Sequence, residues 1–352
     1  MKICFLNTNH AWGGGEKWHF EMANALRKRG HSVMIICSPG SALEKKSKSQ
    51  NIPTRLLKTS NLSFINPIKI FLLSLIIRQN RVKVLFTNLP IDTKIAALIK
   101  PFSGLKKLIY RRGMPHPIRN TLLNVFVFNQ VDKIIANSQQ IKNSLCENLT
   151  HLKEKTYIIY NGVTPREENV NRTYKSPLIL GNLGRLVKQK GQLDLIEIAN
   201  HLKQKDFKFK LLIAGKGDQK AQLEQKIKAY KLESDVELLG YQESDTFLSK
   251  IDLLVFPSRF EGSANAIIEA SNFGVPTVAY DVSSMPELVE HNKTGVLIPP
   301  FNIELMAQEI INFINNPELL KSYSKNSIEL VKQKFCYKDK VQEVETLIYE
   351  AS

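Results

Sequence analysis

The chain reads as an α/β protein built on two doubly wound parallel sheets, and three observations carry that reading. Apolar runs of strand length alternate with helix-like stretches along most of the sequence. The plan runs twice, separated by a polar, strandless stretch from Thr164 to Ser176 that reads as a linker. With 352 residues, 43% of them hydrophobic, the chain is long for one core and rich enough for two.

In the first half "KICFLN" is a strand, "EKWHFEMANALRKRG" a helix closed by Gly30, and "HSVMIICSP" the next strand. "PIKIFLLSLIIRQN" is helical, and "VKVLFTN", "KLIYRR" and "VDKIIANS" are strands. In the second half "PLILGNLG" is a strand, "KGQLDLIEIANHLKQ" a helix, and "FKLLIAGKGD" a strand ending in glycines. "AQLEQKIKAYKL" is a helix, "VELLGY" a strand, "TFLSKI" a short helix and "DLLVFPS" a strand. "ANAIIEASNFG" is a helix, followed by the strands "VPTVAY" and "TGVLIPP". The expected domains are 1–165, 166–335, and a terminal helix over 336–352 that packs back on the first. Two Rossmann-like units of this kind, facing a cleft, bind ligands at the carboxyl ends of their strands.

Composition narrows the function classes. Cys4, Cys37, Cys146 and Cys336 are scattered without zinc or disulfide spacing, and no secretory signal opens the sequence. The longest apolar run, "IFLLSLII", is far short of the roughly 20 residues that span a bilayer. A reduced, cytoplasmic location is expected. The net charge of +16 is uneven: residues 1–165 carry +18 and residues 166–352 carry −2. A compositional bias would load both halves alike, so a positive first half implies an anionic partner. No basic stripe interleaved with aromatics points to nucleic acid.

Three constellations carry chemistry. In "NHAWGGGEKW", Gly13, Gly14 and Gly15 follow the first strand and Glu16 opens the first helix. This is either a structural turn or a place where backbone and helix N-terminus approach an anion. It is not G-x-G-x-x-G, and no acid ends the second strand, so a dinucleotide site is poorly supported. "GNLGRLVKQKG" sets Arg185 and Lys190 between Gly184 and Gly191, as solvated loop cations or as a diphosphate clamp. "AGKGD" adds Gly215 at a strand end. In "PSRFEGSANAIIEA", Glu261 and Glu269 flank Gly262, Ser263 and Asn265, either as an ordinary helix start with acidic caps or as two carboxylates for vicinal hydroxyls around a helix start that favours an anion. That combination suits a nucleotide-sugar.

Glu261-x7-Glu269, preceded by Pro257-Ser258 and followed by "ASNFGVPTVAYDVSSMPELVEHNKTGVLIPP", resembles the signature of the retaining family 4 glycosyltransferases of GT-B fold. The three-glycine turn, "GRLVKQKG", "AGKGD" and "LLGY" fall in that family's order and spacing, over nearly the whole chain. The resemblance implies that Arg185 and Lys190 bind the donor diphosphate and that Glu269 binds the ribose. It implies that Glu261, with the amides of Gly262 and Ser263, meets the transferred sugar. Gly14 and Gly15 would approach the diphosphate, and Gly240 and Tyr241 the base. The donor would be a UDP- or GDP-type nucleotide-diphospho-sugar, with no further cofactor. No Asp-x-Asp pair occurs, in keeping with metal-free stabilisation of the leaving group by cations. Where the family has a His near the reacting sugar, "KLIYRRGMPHP" offers Arg111 or Arg112, with His116 further on.

The acceptor side falls to the first half. "PIKIFLLSLIIRQNR" is either a core helix or, with Lys69, Arg78 and Arg81, a membrane-surface element, and "PFSGLKKLIYRR" adds Lys106 and Lys107. The expected enzyme is peripheral at the inner membrane face and transfers sugar to a glycan or lipid-linked acceptor of lipopolysaccharide or capsule type. The rivals are a nucleotide-sugar epimerase or hydrolase of the same fold, and a basic nucleic-acid-binding protein.

Overall fold

Two sheets carry the chain, each inside its own unit: Met1–Asn161 with the stretch from Asp339, and Gly162–Lys338. The computed structural model describes residues 1–114, 116–166, 172–174 and 176–350.

In the first unit the strands are β1 (Lys2–Asn7), β2 (Ser32–Cys37), β3 (Thr54–Leu56), β4 (Val84–Thr87), β5 (Lys107–Arg112), β6 (Lys133–Ala136) and β7 (Thr156–Ile158). They lie in the order β3-β2-β1-β4-β5-β6-β7, with every pairing parallel. β4 and β6 are buried along their whole length, as are β1 and β2 after their first residues. Burial on both faces explains why these strands read as continuous apolar runs, not alternations. The helices between them are α1 (Gly14–Lys28), α2 (Ala42–Ser49), α3 (Pro67–Gln79), α4 (Pro90–Ser103), α5 (Leu122–Gln130) and α6 (Gln139–Cys146).

The second unit repeats the design with β8 (Leu178–Leu183), β9 (Phe209–Ala214), β10 (Val236–Gly240), β11 (Leu253–Phe256), β12 (Thr277–Tyr280) and β13 (Gly295–Ile298). Its order is β10-β9-β8-β11-β12-β13, again all parallel. The helices are α7 (Gln192–Gln204), α8 (Lys220–Ala229), α9 (Ser244–Leu248), α10 (Asn265–Asn272), α11 (Met285–Leu288), α12 (Ile303–Asn315) and α13 (Pro317–Lys334). The connection order reverses between β1 and β4 in the first sheet and between β8 and β11 in the second. At such a reversal the flanking loops leave in opposite directions and open a crevice at the carboxyl ends of the strands.

Of the linker expected over Thr164–Ser176, residues 167–171 and 175 lie outside the described ones. Arg172 within it is fastened to the second unit, donating to the carbonyls of Phe273 and Leu248, each at 3.0 Å, and of Ile251.

The last helix, α14 (Tyr337–Tyr349), packs in the first unit. Glu345 pairs with Arg29 and, at 2.7 Å, with His31. A helix end leaves carbonyls without partners and carries partial negative charge. Lys107 answers both: its Nζ donates to the carbonyls of Leu347 (3.4 Å), Ile348 (3.0 Å) and Glu350. The sequence sets Lys107 among surface cations; instead it is 9% exposed, and burial followed by the charge of Lys133 lowers its pKa. The β1 end is fixed in a similar way. Thr8 donates its backbone N–H (2.9 Å) and its hydroxyl (2.6 Å) to Asp92 in the first turn of α4.

Replacing Lys107 by Met should cost about 1–3 kcal/mol, the range for hydrogen bonds made by a charged group. Limited proteolysis should then release α14 well before the rest of the chain; unchanged protection would show that the helix end does not depend on this cation. For Asp92, burial raises the carboxyl from 3.8 to about 6, against the two Thr8 bonds, with Glu16 adding repulsion. A raised acid binds its proton more tightly when folded. Its contribution to stability is therefore full below about pH 4 and lost as pH rises through 6, by about 3 kcal/mol in all. Denaturation of wild type and Asp92→Asn from pH 4 to 7 should give converging or crossing stabilities, and parallel curves would refute this assignment.

Candidate active site

In the second unit the reversal between β8 and β11 brings two loops together, Gly184–Gly191 after β8 and Pro257–Ala264 after β11. They are tied backbone to backbone. The Arg259 N–H donates to the Gln189 carbonyl at 2.9 Å, and Gln189 Nε2 returns a bond to the Phe260 carbonyl at 2.6 Å. Lys190 Nζ crosses from one loop to Glu261 Oε1 of the other as an ion pair, with side-chain exposures of 16% and 8%. The ammonium also sits 5.4 Å above the Phe256 ring. Arg185, by contrast, is exposed and makes no ion pair among the described residues. Its carbonyl is held by Gln192 Nε2 at 2.9 Å, which fixes the backbone and leaves the guanidinium to solvent.

The remaining sequence candidates of this unit line the same strand ends. Gly184 donates its N–H to the Ala214 carbonyl at 3.0 Å, and Gly215 donates to the Gly240 carbonyl at 2.7 Å. The reason for glycine at 215 is packing: at its φ of +155° a Cβ would lie 1.8 Å from the Gly184 carbonyl oxygen. Tyr241 is 63% exposed and donates its hydroxyl to Glu243 at 2.8 Å. Gly262 and Ser263 are half-buried, and Asn265 begins α10 without a side-chain cap on the helix. The Asn265 N–H turns back to the Ser263 carbonyl at 3.1 Å and that of Ile267 to the Ala264 carbonyl at 2.9 Å, which tightens this helix start. Glu269, two turns after Glu261, accepts the Ser244 hydroxyl at 2.7 Å, which joins α10 to the start of α9.

The support around Arg259 escapes the sequence reading. Asp194 in α7 accepts from Arg259 at 3.3 Å and from the Tyr280 hydroxyl at 3.2 Å, while the Arg259 guanidinium lies 5.2 Å over Phe301. Arg259 is thereby clamped on both sides, and with Gln189 it sets the loop that carries Glu261. No local pattern signals this, because Asp194 and Arg259 are 65 residues apart.

In the first unit the polar candidates also gather at strand ends. Glu16 is 3% exposed and accepts from Asn7 and Asn9 side chains, each at 3.1 Å. Gly14 and Gly15 are the first two residues of α1. Glycine at 15 is required by a neighbour, since a Cβ there would lie 2.3 Å from the Asn88 amide nitrogen. Asn88 in turn accepts from Arg111 at 3.2 Å, and Asn161 accepts from the same guanidinium at 3.1 Å. Arg111 is 3% exposed, lies 5.2 Å over Trp18, and is pushed down to about 10 by burial, with Glu16 acting the other way. Arg112 points elsewhere. It bonds the carbonyls of Met114 (2.9 Å) and His116 (2.6 Å) and the Tyr110 hydroxyl, and so holds the following loop. Of the two arginines only Arg111 joins the strand-end cluster; His116 is exposed and contributes its carbonyl to Arg112. Behind the cluster His19 is fully buried among Phe5 and Trp18, its pKa driven to about 3 by burial and then by Arg111. It stays neutral throughout the working pH range.

Among the described residues no group of three His, Cys, Asp or Glu gathers to hold a metal ion. The arrangement sets cations, a helix start and two carboxylates on segments that follow strands of the second sheet, a set suited to a phosphate ester carrying hydroxyls.

Comparison with known proteins agrees with this chemistry. Residues 163–330 match the model described as "Glycosyl transferases group 1", and residues 12–167 match "Glycosyltransferase Family 4". An uncharacterized glycosyltransferase of Methanocaldococcus jannaschii is 32% identical over 269 residues, covering 73% of this chain and 72% of that protein. A poly(ribitol-phosphate) alpha-N-acetylglucosaminyltransferase of Staphylococcus aureus is 32% identical over 184 residues, 52% of this chain and 37% of its own length. Among solved structures, Anabaena HepE in complex with UDP aligns with a TM-score of 0.83 at 20% identity, covering 99% of both chains. The lipopolysaccharide outer core galactosyltransferase WaaB aligns at 0.80 with 17% identity, over 99% of this chain and 98% of that one. The two family models together span residues 12–330, and with the paired parallel sheets and the M. jannaschii relative they establish that this chain belongs to the family 4 glycosyltransferases of GT-B fold.

Proposed function

We propose that the protein is a retaining, metal-independent hexosyltransferase that takes its sugar from a nucleotide-diphospho-sugar. The carrying observation is the loop pair of the second unit, which sets exposed Arg185 and the Lys190–Glu261 ion pair on the segments that lead into α7 and α10. Solved relatives of the same fold hold UDP and UDP-glucose, which supports a donor of this class.

In this reading the donor diphosphate lies against Arg185, Lys190 and the amides of Gly262 and Ser263. Glu269 receives the ribose hydroxyls, and the segment at Gly240 and Tyr241 lies along the base. Before the donor arrives, Lys190 is neutralised by Glu261. A diphosphate offers Lys190 a second anion, and Glu261 then has a free oxygen for a hydroxyl of the transferred sugar. As the bond from the anomeric carbon to phosphate oxygen breaks, its electron pair stays on the nucleoside diphosphate. The acceptor oxygen bonds the same face of the sugar, and its proton passes to the departing phosphate. Negative charge on that phosphate is greatest as the bond breaks, so the two cations act more strongly on the transition state than on bound donor.

For the acceptor we propose a glycan or lipid-linked glycan of lipopolysaccharide or capsule type. A poly(ribitol-phosphate) alpha-N-acetylglucosaminyltransferase, a lipopolysaccharide outer core galactosyltransferase and a capsular polysaccharide biosynthesis glycosyltransferase of Staphylococcus aureus are among the similar proteins, which supports the class. A lipid-linked acceptor would bring the chain to the cytoplasmic face of a membrane as a peripheral enzyme, and no nucleic acid enters this reading.

Arg185→Ala is the clean test, because the side chain is exposed and makes no ion pair among the described residues, so its loss should leave folding intact. Transfer should fall by about 10²–10³ in kcat, the scale for removing one preorganised charge stabiliser. A chelator should change the rate less than twofold; complete inhibition reversed by added metal would sink the metal-free mechanism. Lys190→Ala should be different in kind, since it leaves Glu261 buried without its cation, at about 3 kcal/mol of stability. The double variant Lys190→Ala/Glu261→Ala should recover most of that loss. Additive losses would show the pair to be uncoupled. For Glu269→Ala, calorimetry should find free UDP bound at least tenfold more weakly, with a smaller change in kcat. Equal affinity would remove Glu269 from the ribose.

A further inference from the structure

The α3 helix is apolar on all sides, yet only one side is covered. Leu73 and Ile77 are fully buried, whereas Ile68, Phe71, Leu72 and Leu75 are 68%, 65%, 42% and 37% exposed. Those four positions, at i, i+3, i+4 and i+7, form one stripe along the helix. Leu62 and Ile65, in the turn that packs against α3, are a further 65% and 63% exposed. Exposed apolar side chains are ordinary when scattered; six within residues 62–75 mark a surface that is covered in use. At 13 residues α3 is too short to span a bilayer, and no helix of the described residues is long and apolar enough to do so.

Charge identifies what covers it. From Lys45 to Val131 the sequence holds sixteen lysines and arginines and a single acid, Asp92, which is fully buried. Arg78 continues the apolar stripe three residues beyond Leu75, Lys69 lies one turn before Leu72 and Leu73, and Arg55, Lys58 and Arg81 are exposed. A second copy of the chain docking face to face would oppose cation to cation. An anionic bilayer offers an apolar layer for the stripe and negative headgroups for its border.

We infer that the α3 face, from Leu62 to Arg78, is a membrane-docking surface that lies in the headgroup and acyl boundary of an anionic bilayer. The docking stands on the exposed stripe and its cations. It rests on the proposed function only in placing the acceptor within the same membrane.

The test uses the full chain and vesicles of phosphatidylcholine with one-quarter phosphatidylglycerol, against vesicles of phosphatidylcholine alone. Wild type should sediment with the anionic vesicles and be released by 0.5 M salt. Phe71→Ser/Leu75→Ser, which changes only exposed side chains, should lower the bound fraction at least tenfold, as should Arg78→Glu/Arg81→Glu, which changes exposed cations. Both variants should keep the wild-type melting temperature and its rise with UDP. Equal sedimentation of wild type and Phe71→Ser/Leu75→Ser would overturn the inference. So would wild type left in the supernatant, or a dimer in light scattering that the Ser variant abolishes. A chain that docks but responds to neither UDP nor GDP would leave docking in place and sink the donor reading, and the reverse result would separate them the other way.

Discussion

The tie between Gln189 and the 259–260 backbone brings two loops from different strands into one working surface. The two bonds hold the loops at a fixed separation, and the Lys190–Glu261 pair forms inside that separation. A cation and a carboxylate shielded from water attract far more strongly than the same pair in solvent, but only when their geometry is held. The clamp of Arg259 between Asp194 and Phe301 supplies that hold from beneath. Ligand chemistry at the crevice is therefore a property of the loop pair, and neither loop alone would present it.

The first unit solves a different electrostatic problem. Its strand ends bury Glu16 and Arg111, and side-chain amides stand between the ionised groups and the protein around them. Asn7, Asn9, Asn88 and Asn161 satisfy lone pairs and N–H groups without adding charge. The two terminal nitrogens of Arg111 keep hydrogen bonds to Asn88 and Asn161 where no carboxylate touches them, and its Nε is left without one. The glycine at 15 belongs to this arrangement, since it makes room for Asn88.

Much of this was legible in the sequence, for definite reasons. Strands such as β4, β11 and β12 are buried on both faces, so they stand out as apolar runs between glycines and polar residues. The candidate residues of the second unit cluster because each follows a strand of one sheet, and strand succession is readable. What could not be read depends on long-range pairing. The three-residue β3 has exposed side chains and no apolar signature. α3 is apolar all round, so periodicity cannot say which face is left uncovered. Lys107 looks like its neighbour Lys106 in sequence, yet one caps a helix 240 residues away and the other is exposed. Arg111 and Arg112 are adjacent and identical in type, and only strand alternation turns one into the cluster and the other toward the next loop.

The place of α14 bears on how the protein can be taken apart. A fragment cut at the end of β7 would keep the whole first sheet but lose the helix whose carbonyls receive Lys107 and whose Glu345 receives Arg29 and His31. It would lose Val344, Leu347 and Ile348 from its core and uncover the surface they bury, with Lys107 left without the carbonyls it bonds. Autonomy for the first unit therefore demands a rewired chain, with α14 joined by a new loop to the end of β7 or to the start of β1. Evolution faces the same topology: the second unit sits as an insertion within the first, and exchanging second units between such proteins means grafting at two junctions.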